Sequence, residues 1–107
     1  MSNLMTKEQI ITEDQLDLMY IIEKDGKASQ RLISQTSGFS IGKVNYCLKA
    51  LIDIGFVKIH NFTNSNNKLN YAYILTPEGV KEKTAITKKF IIQKKQEYDK
   101  LNSYINK

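Results

Sequence analysis

The 107-residue chain carries a formal net charge of +5, with 41% hydrophobic and 25% charged residues, a balance ordinary for one globular domain and one that indicates neither disorder nor a membrane span. Its single cysteine, Cys47, excludes an internal disulfide and any cysteine-rich zinc finger. No apolar run approaches the ~18 residues of a membrane span, and the N-terminus lacks the charged, apolar and cleavable series of a secretory signal, so a cytoplasmic protein is expected.

Residues 1–11 are polar and weakly periodic, with Ile10 and Ile11 the candidates for packing on a core. Thr12 and Gln15 have the spacing of a capping box, and Glu13 and Asp14 put negative charge in the first turn, where the helix dipole favours it. A helix from 13 to about 24 follows. The spacing of Leu16, Met19, Tyr20 and Glu23 sets its inner stripe, and Leu18, Ile21 and Ile22 broaden it. Asp25-Gly26 ends it in a turn.

Ser29 caps a second helix, 30 to about 36, with Leu32 and Ile33 turned inward and Gln30, Arg31 and Gln35 left polar. Gly38 suits the left-handed residue that closes such a helix, and Phe39 the apolar contact that follows it. Ser40 then caps a third helix, 41 to 54, closed by Gly55. Ile41, Val44, Leu48, Leu51 and Ile52 recur at three- and four-residue steps and form its inward stripe. Cys47, three after Val44 and four before Leu51, reads as a small core filler rather than a redox thiol.

Gly42, Lys43, Asn45, Tyr46 and Lys49 point the other way. They are donors and cations rather than the Glu and Lys mixture of an ordinary solvated face. The pair of helices joined at Gly38 has the shape of a helix-turn-helix, whose second helix enters a DNA major groove. Gly42 within that helix costs roughly 1 kcal/mol relative to Ala. Two reasons would justify it: close approach of its backbone to something outside, such as a phosphate, or tight packing against the second helix.

Residues 56–60 alternate as a strand, and 69–75 form a second, rich in aromatic and branched side chains. Between them, Asn61 to Lys68 make a polar hairpin loop with the composition of a wing lying over a nucleic-acid backbone. Thr76 as cap, Pro77 at the first helical position and Glu78 in the first turn then open a helix that runs unbroken to about Asn106. Val80, Thr84, Thr87, Ile91, Lys94, Tyr98, Leu101 and Ile105 fall on alternating three- and four-residue steps, widened by Ile86 and Phe90. Such a seam, imperfect at Lys94, wants a second helix, and the chain offers none. A homodimer built on Ile86, Phe90, Ile91, Tyr98, Leu101 and Ile105 is expected. The alternative is a helix folded back along its own domain.

Charge is segregated along the chain: residues 1–26 carry −4, residues 27–76 carry +5 and residues 77–107 carry +4. That pattern suits one surface meeting a polyanion, since each neutralised phosphate releases counterions, and equally a soluble surface whose charge is simply uneven. His60 is the only histidine and has no second soft ligand near it in sequence; there is no glycine-rich phosphate loop, and nothing orders a Ser, His and carboxylate. No enzyme, metal or cofactor is expected.

The order of elements is that of a winged helix-turn-helix, mainly α with a small β-hairpin, divided as a DNA-binding domain (1–76) and a C-terminal dimerisation helix (77–107). The chain resembles the MarR family of transcriptional regulators, most of all the small members associated with exopolysaccharide (EPS) gene clusters. The likeness is carried by Ser40-Ile-Gly-Lys-Val-Asn-Tyr-Cys-Leu-Lys-Ala-Leu-Ile-Asp, Gly55-Phe-Val-Lys, Asn61-Phe, Asn67-Lys-Leu-Asn-Tyr-Ala-Tyr and Leu75-Thr-Pro-Glu-Gly, over roughly residues 12–104. The resemblance implies a bacterial dimeric regulator whose third helix reads base edges and whose hairpin touches the minor groove or backbone. Typical members are longer, with further helices that complete the dimerisation domain and shape an effector pocket; no small-molecule effector is assigned here.

Double-stranded DNA is the expected partner. Lys43 and Lys49 would contact phosphate or guanine, Asn45 adenine, and Ser40 and Tyr46 phosphate or base edges. Gln30 and Arg31 are candidates for backbone positioning, Gly42 for close approach, and Asn64, Asn66, Asn67 and Lys68 for wing contacts. Two other readings compete: a protein-interaction module docking its lysine-rich terminal helix on an acidic partner, and a regulator binding structured RNA through wing and phosphate contacts.

Overall fold

Thr12 and Gln15 exchange both hydrogen bonds of a capping box, each 3.1 Å long, and so start α1 (Glu13–Asp25). The computed structural model describes residues 11–63 and 69–106; Asn64, Asn66, Asn67 and Lys68 of the expected wing lie outside the described residues. Ser29 caps α2 (Gln30–Ser37) through the Leu32 N–H, and Ser40 caps α3 (Ile41–Ile54) through the Lys43 N–H. Gly38 closes α2 at φ 79° and Gly55 closes α3 at φ 90°, a backbone region that side chains with a Cβ rarely enter.

The strands β1 (Val57–Thr63) and β2 (Leu69–Leu75) pair antiparallel, from Val57 opposite Leu75 to Thr63 opposite Leu69. Strand β1 therefore runs three residues past His60, the limit that side-chain alternation suggested, because cross-strand pairing continues through Asn61, Phe62 and Thr63. Tyr73 N–H donates to Ala28 O at 2.8 Å, tying the segment before α2 to the hairpin. Thr76 caps α4 (Pro77–Ile105), a 29-residue helix about 43 Å long.

Leu18, Met19, Ile22, Ile33, Val44, Leu48, Leu51, Phe56 and Ile86 meet in one core, each 1% exposed or less. Ile11 joins its edge and Leu32 is half-buried. Cys47 is sealed in the same core, and burial pushes its thiol above the ordinary cysteine value, with the nearby Asp14 charge adding to the effect. A thiol held protonated in this way is inert packing.

Helix α4 divides into two parts. Up to Phe90 it packs on its own domain; from Ile91 to Asn106 every residue is exposed. The radius of gyration, 16.9 Å, exceeds the ~13 Å of a compact chain of this length for that reason. Ile86, expected at a partner's surface, instead belongs to its own chain's core, and Phe90 is half-buried against that core. The seam's two ends thus differ, one covered by the chain's own core and the other exposed, because periodicity records an apolar stripe and not what covers it.

A polar clasp fastens the packed half. Lys83 Nζ lies 2.9 Å from Glu23 Oε1 and 4.2 Å from the Tyr20 ring centroid. Thr87 donates to Lys83 O at 2.7 Å, which spends its one hydroxyl proton, so Tyr20 must donate in the 2.6 Å bond to Thr87 Oγ1. Tyr20 keeps 41% of its surface exposed despite its place in the α1 stripe, because its hydroxyl reaches across to α4. Lys94 Nζ, 3.2 Å from Glu13 Oε1, adds one more tie where α4 leaves the domain.

Candidate nucleic-acid interface

Only Gly38, Phe39 and Ser40 separate α2 from α3. Ser34 donates its hydroxyl to Phe39 O at 2.6 Å and Ser37 Oγ accepts from Phe39 N–H at 3.1 Å, so the turn is held by α2's own side chains. Gln30 Nε2 donates to Ile41 O at 3.3 Å, joining the start of α2 to the start of α3. Gln30 therefore acts on α3 itself, while Arg31 beside it is exposed. These bonds fix the angle between α2 and α3.

On α3, Val44, Cys47, Leu48 and Leu51 are 3% exposed or less, and Gly42, Lys43, Asn45, Tyr46 and Lys49 are all exposed, Tyr46 by 73%. Ile41, assigned to the inner stripe by its spacing, is 50% exposed instead. It occupies the first helical position, where the helix has not yet reached the core. Packing against α2 does not explain Gly42: a Cβ there would meet nothing nearer than Ser40 Oγ at 4.0 Å. Its space opens outward. Ser40 Oγ accepts from Lys43 N–H at 3.1 Å, which leaves its O–H as a donor.

Lys43 has neighbours that sequence reasoning missed. Its Nζ sits 2.7 Å from Asp14 Oδ2 and 4.1 Å from the Phe39 ring centroid. Both charged side chains are nearly half exposed (44% and 46%), so the pair is worth about 0–1 kcal/mol and exchanges readily for another anion. Asp14 thus brings the acidic first turn of α1 to the edge of the exposed α3 face. The negative field there also registers on Asp17, whose carboxyl is raised above 3.8, first by burial and then by Asp14 and Glu13. No sequence signal links positions 14 and 43; the link exists only through helix packing.

Of the residues expected at a dimer seam, Ile91, Tyr98, Leu101 and Ile105 are 62%, 67%, 63% and 80% exposed, with Ile92 and Tyr104 beside them also in water. Among the described residues no three His, Cys, Asp or Glu side chains gather as a metal site, and no helix is long and apolar enough to cross a membrane.

The family described as winged helix-turn-helix DNA-binding matches residues 15–58, which take in α1 to the start of β1. Among solved structures the chain is similar to Streptococcus pneumoniae FabT in complex with DNA (14% identity, 88% of this chain and 64% of that one, TM-score 0.63). It is likewise similar to Staphylococcus aureus MarR in complex with salicylate and kanamycin (21% identity, 91% and 61%, TM-score 0.61). A third is MepR, a transcription regulator of the Staphylococcus aureus multidrug efflux pump MepA (19% identity, 85% and 66%, TM-score 0.60). No curated protein matches. The chain spans 61–66% of the length of these three structures, and at such identities the likeness is one of fold: a winged helix-turn-helix followed by a long helix.

Proposed function

We propose that this protein is a sequence-specific, duplex-DNA-binding transcriptional regulator of the MarR type, acting as a homodimer. The observation that carries the reading is the outward face of α3. Gly42, Lys43, Asn45, Tyr46 and Lys49 are exposed together while the opposite face is sealed in the core, and no described segment covers them. A rigid helix with donors and cations on its free side suits base edges and phosphates of a major groove. That FabT shares the fold in a complex with DNA supports the same assignment.

In this reading Lys43 exchanges Asp14 for phosphate or guanine, Asn45 pairs with adenine, and Lys49, Tyr46 and Ser40 bond to phosphate or base edges. Arg31 and the wing residues Asn64, Asn66, Asn67 and Lys68 contact the backbone. Residues 1–76 form the DNA-binding part and 77–107 the dimerising part, the first half of α4 being shared between them. Support for the dimer comes from the distal half of α4: a lone helix of such length is marginal in water, and its apolar residues at 91, 98, 101 and 105 keep the steps of a two-helix seam. Two α3 helices would then meet one face of the duplex about a helical turn apart. Exopolysaccharide genes are the proposed targets, on the sequence likeness to regulators of such clusters.

A gel-shift titration against duplex from the protein's own promoter region, with matched RNA as competitor, tests the reading. Lys43→Ala is expected to weaken binding with a shallower salt slope, and Asn45→Ala to relax base preference by about 1–3 kcal/mol. Unchanged affinity in both variants, or preference for the RNA, would defeat it.

A further inference from the structure

Ile41 is the first residue of α3 and has half its surface in water, on a helix whose other exposed positions are glycine or carry a polar group, the hydroxyl of Tyr46 included. Single exposed apolar side chains are common on protein surfaces; the surroundings of this one set it apart. Beside it Gly42 bears no side chain and its outward space is open. Asn45 and Lys49 follow at four-residue steps, so Ile41, Asn45 and Lys49 make one ridge along the exposed face.

The backbone under Ile41 is fixed, since its carbonyl accepts from Gln30 Nε2 and the Ser40 cap holds the first turn. A β-branched side chain in a helix is also stiff at χ1. Little freedom remains to be lost on contact. The N-terminal residues of a recognition helix are the ones that reach base edges. The apolar group that a base pair offers in the major groove is the thymine C5 methyl.

We infer that Ile41 is a specificity-determining residue that packs on a thymine methyl, within about two base pairs of the adenine read by Asn45. The spacing follows from the ~5–6 Å between side chains four residues apart on a helix and the 3.4 Å step of the duplex. This rests on α3 entering the major groove, as proposed above, and adds the base that its first residue reads.

The test uses short duplexes selected from a randomised pool by the full-length protein, with each thymine replaced in turn by deoxyuridine, which removes only the C5 methyl. Wild-type protein is expected to lose about fourfold in affinity at one thymine per half-site, the value of one buried methyl. Ile41→Ala should lose a similar factor on the thymine duplex and nothing further on the uracil one. The wild-type comparison needs no variant, so misfolding cannot mimic it. Equal binding of both duplexes by wild type, or full discrimination retained in Ile41→Ala, overturns the assignment while leaving DNA binding intact. Recovery of no duplex from the pool overturns the DNA reading and this inference with it.

Discussion

Replacing Gly79 by Ala is predicted to loosen the junction from which α4 departs. A Cβ at Gly79 would stand 2.2 Å from Phe56 O and 3.0 Å from its carbonyl carbon, where ordinary contact begins at 3.4 Å. The obstacle is backbone, so no side chain can swing aside, and the carbonyl must retreat by about an ångström. That same oxygen accepts from Thr76 N–H at 3.0 Å, while Thr76 donates its hydroxyl to Gly55 O at 2.6 Å and accepts from Gly79 N–H at 3.0 Å. Strain of about 1–3 kcal/mol and a weakened hydrogen bond or two at about 1 kcal/mol each outweigh the ~1 kcal/mol that Ala gains in a helix. The net expectation is a loss of about 2–3 kcal/mol, a large share of a total stability of ~5–15 kcal/mol. Urea unfolding followed by far-ultraviolet circular dichroism should show the midpoint lowered by about 1–2 M. A variant as stable as wild type, or more stable by its helix propensity, would refute the tight approach of α4 to Phe56.

Gly42→Ala should behave in the opposite sense: with open space at that position it is expected to raise stability by up to ~1 kcal/mol yet bind duplex severalfold more weakly, and equal affinity would show that no phosphate approaches that backbone. Asp14→Asn removes the carboxylate 2.7 Å from Lys43 Nζ and should tighten duplex binding a few-fold at low salt, the gain fading as salt rises; no gain at low salt contradicts the exchange. Truncation after Lys95 keeps Ile86, Phe90 and the Lys94–Glu13 pair, so a cooperative melt should persist while sedimentation reports a monomer. A dimer surviving that truncation would place the partner contact elsewhere. Truncation after Leu75, by contrast, removes Ile86 from the core and should unfold the domain.

Helix starts and stops were legible because they are local chemistry. Thr12, Ser29, Ser40 and Thr76 each cap the helix their spacing predicted, and Gly38 and Gly55 adopt the left-handed backbone expected of them. The inner face of α3 followed from its period, except at Ile41, where the first turn lies outside the core that the period describes. What could not be read were contacts between residues far apart in sequence. Asp14 meets Lys43 only because α1 packs beside α3, and Gly79 matters only because α4 starts against Phe56. The α4 stripe was visible from end to end, but a hydrophobic period does not distinguish a covering by the chain's own core, as at Ile86, from a face left in water, as at Leu101.

Amide chemical-shift mapping of the full-length protein, titrated with duplex from its promoter region, tests most directly whether the free face of α3 is the DNA-reading surface. The largest shifts are expected at Ile41, Gly42, Asn45, Tyr46 and Lys49, with Asp14 moving as Lys43 leaves it. Shifts confined to the distal half of α4, with the first turns of α3 silent, would contradict it.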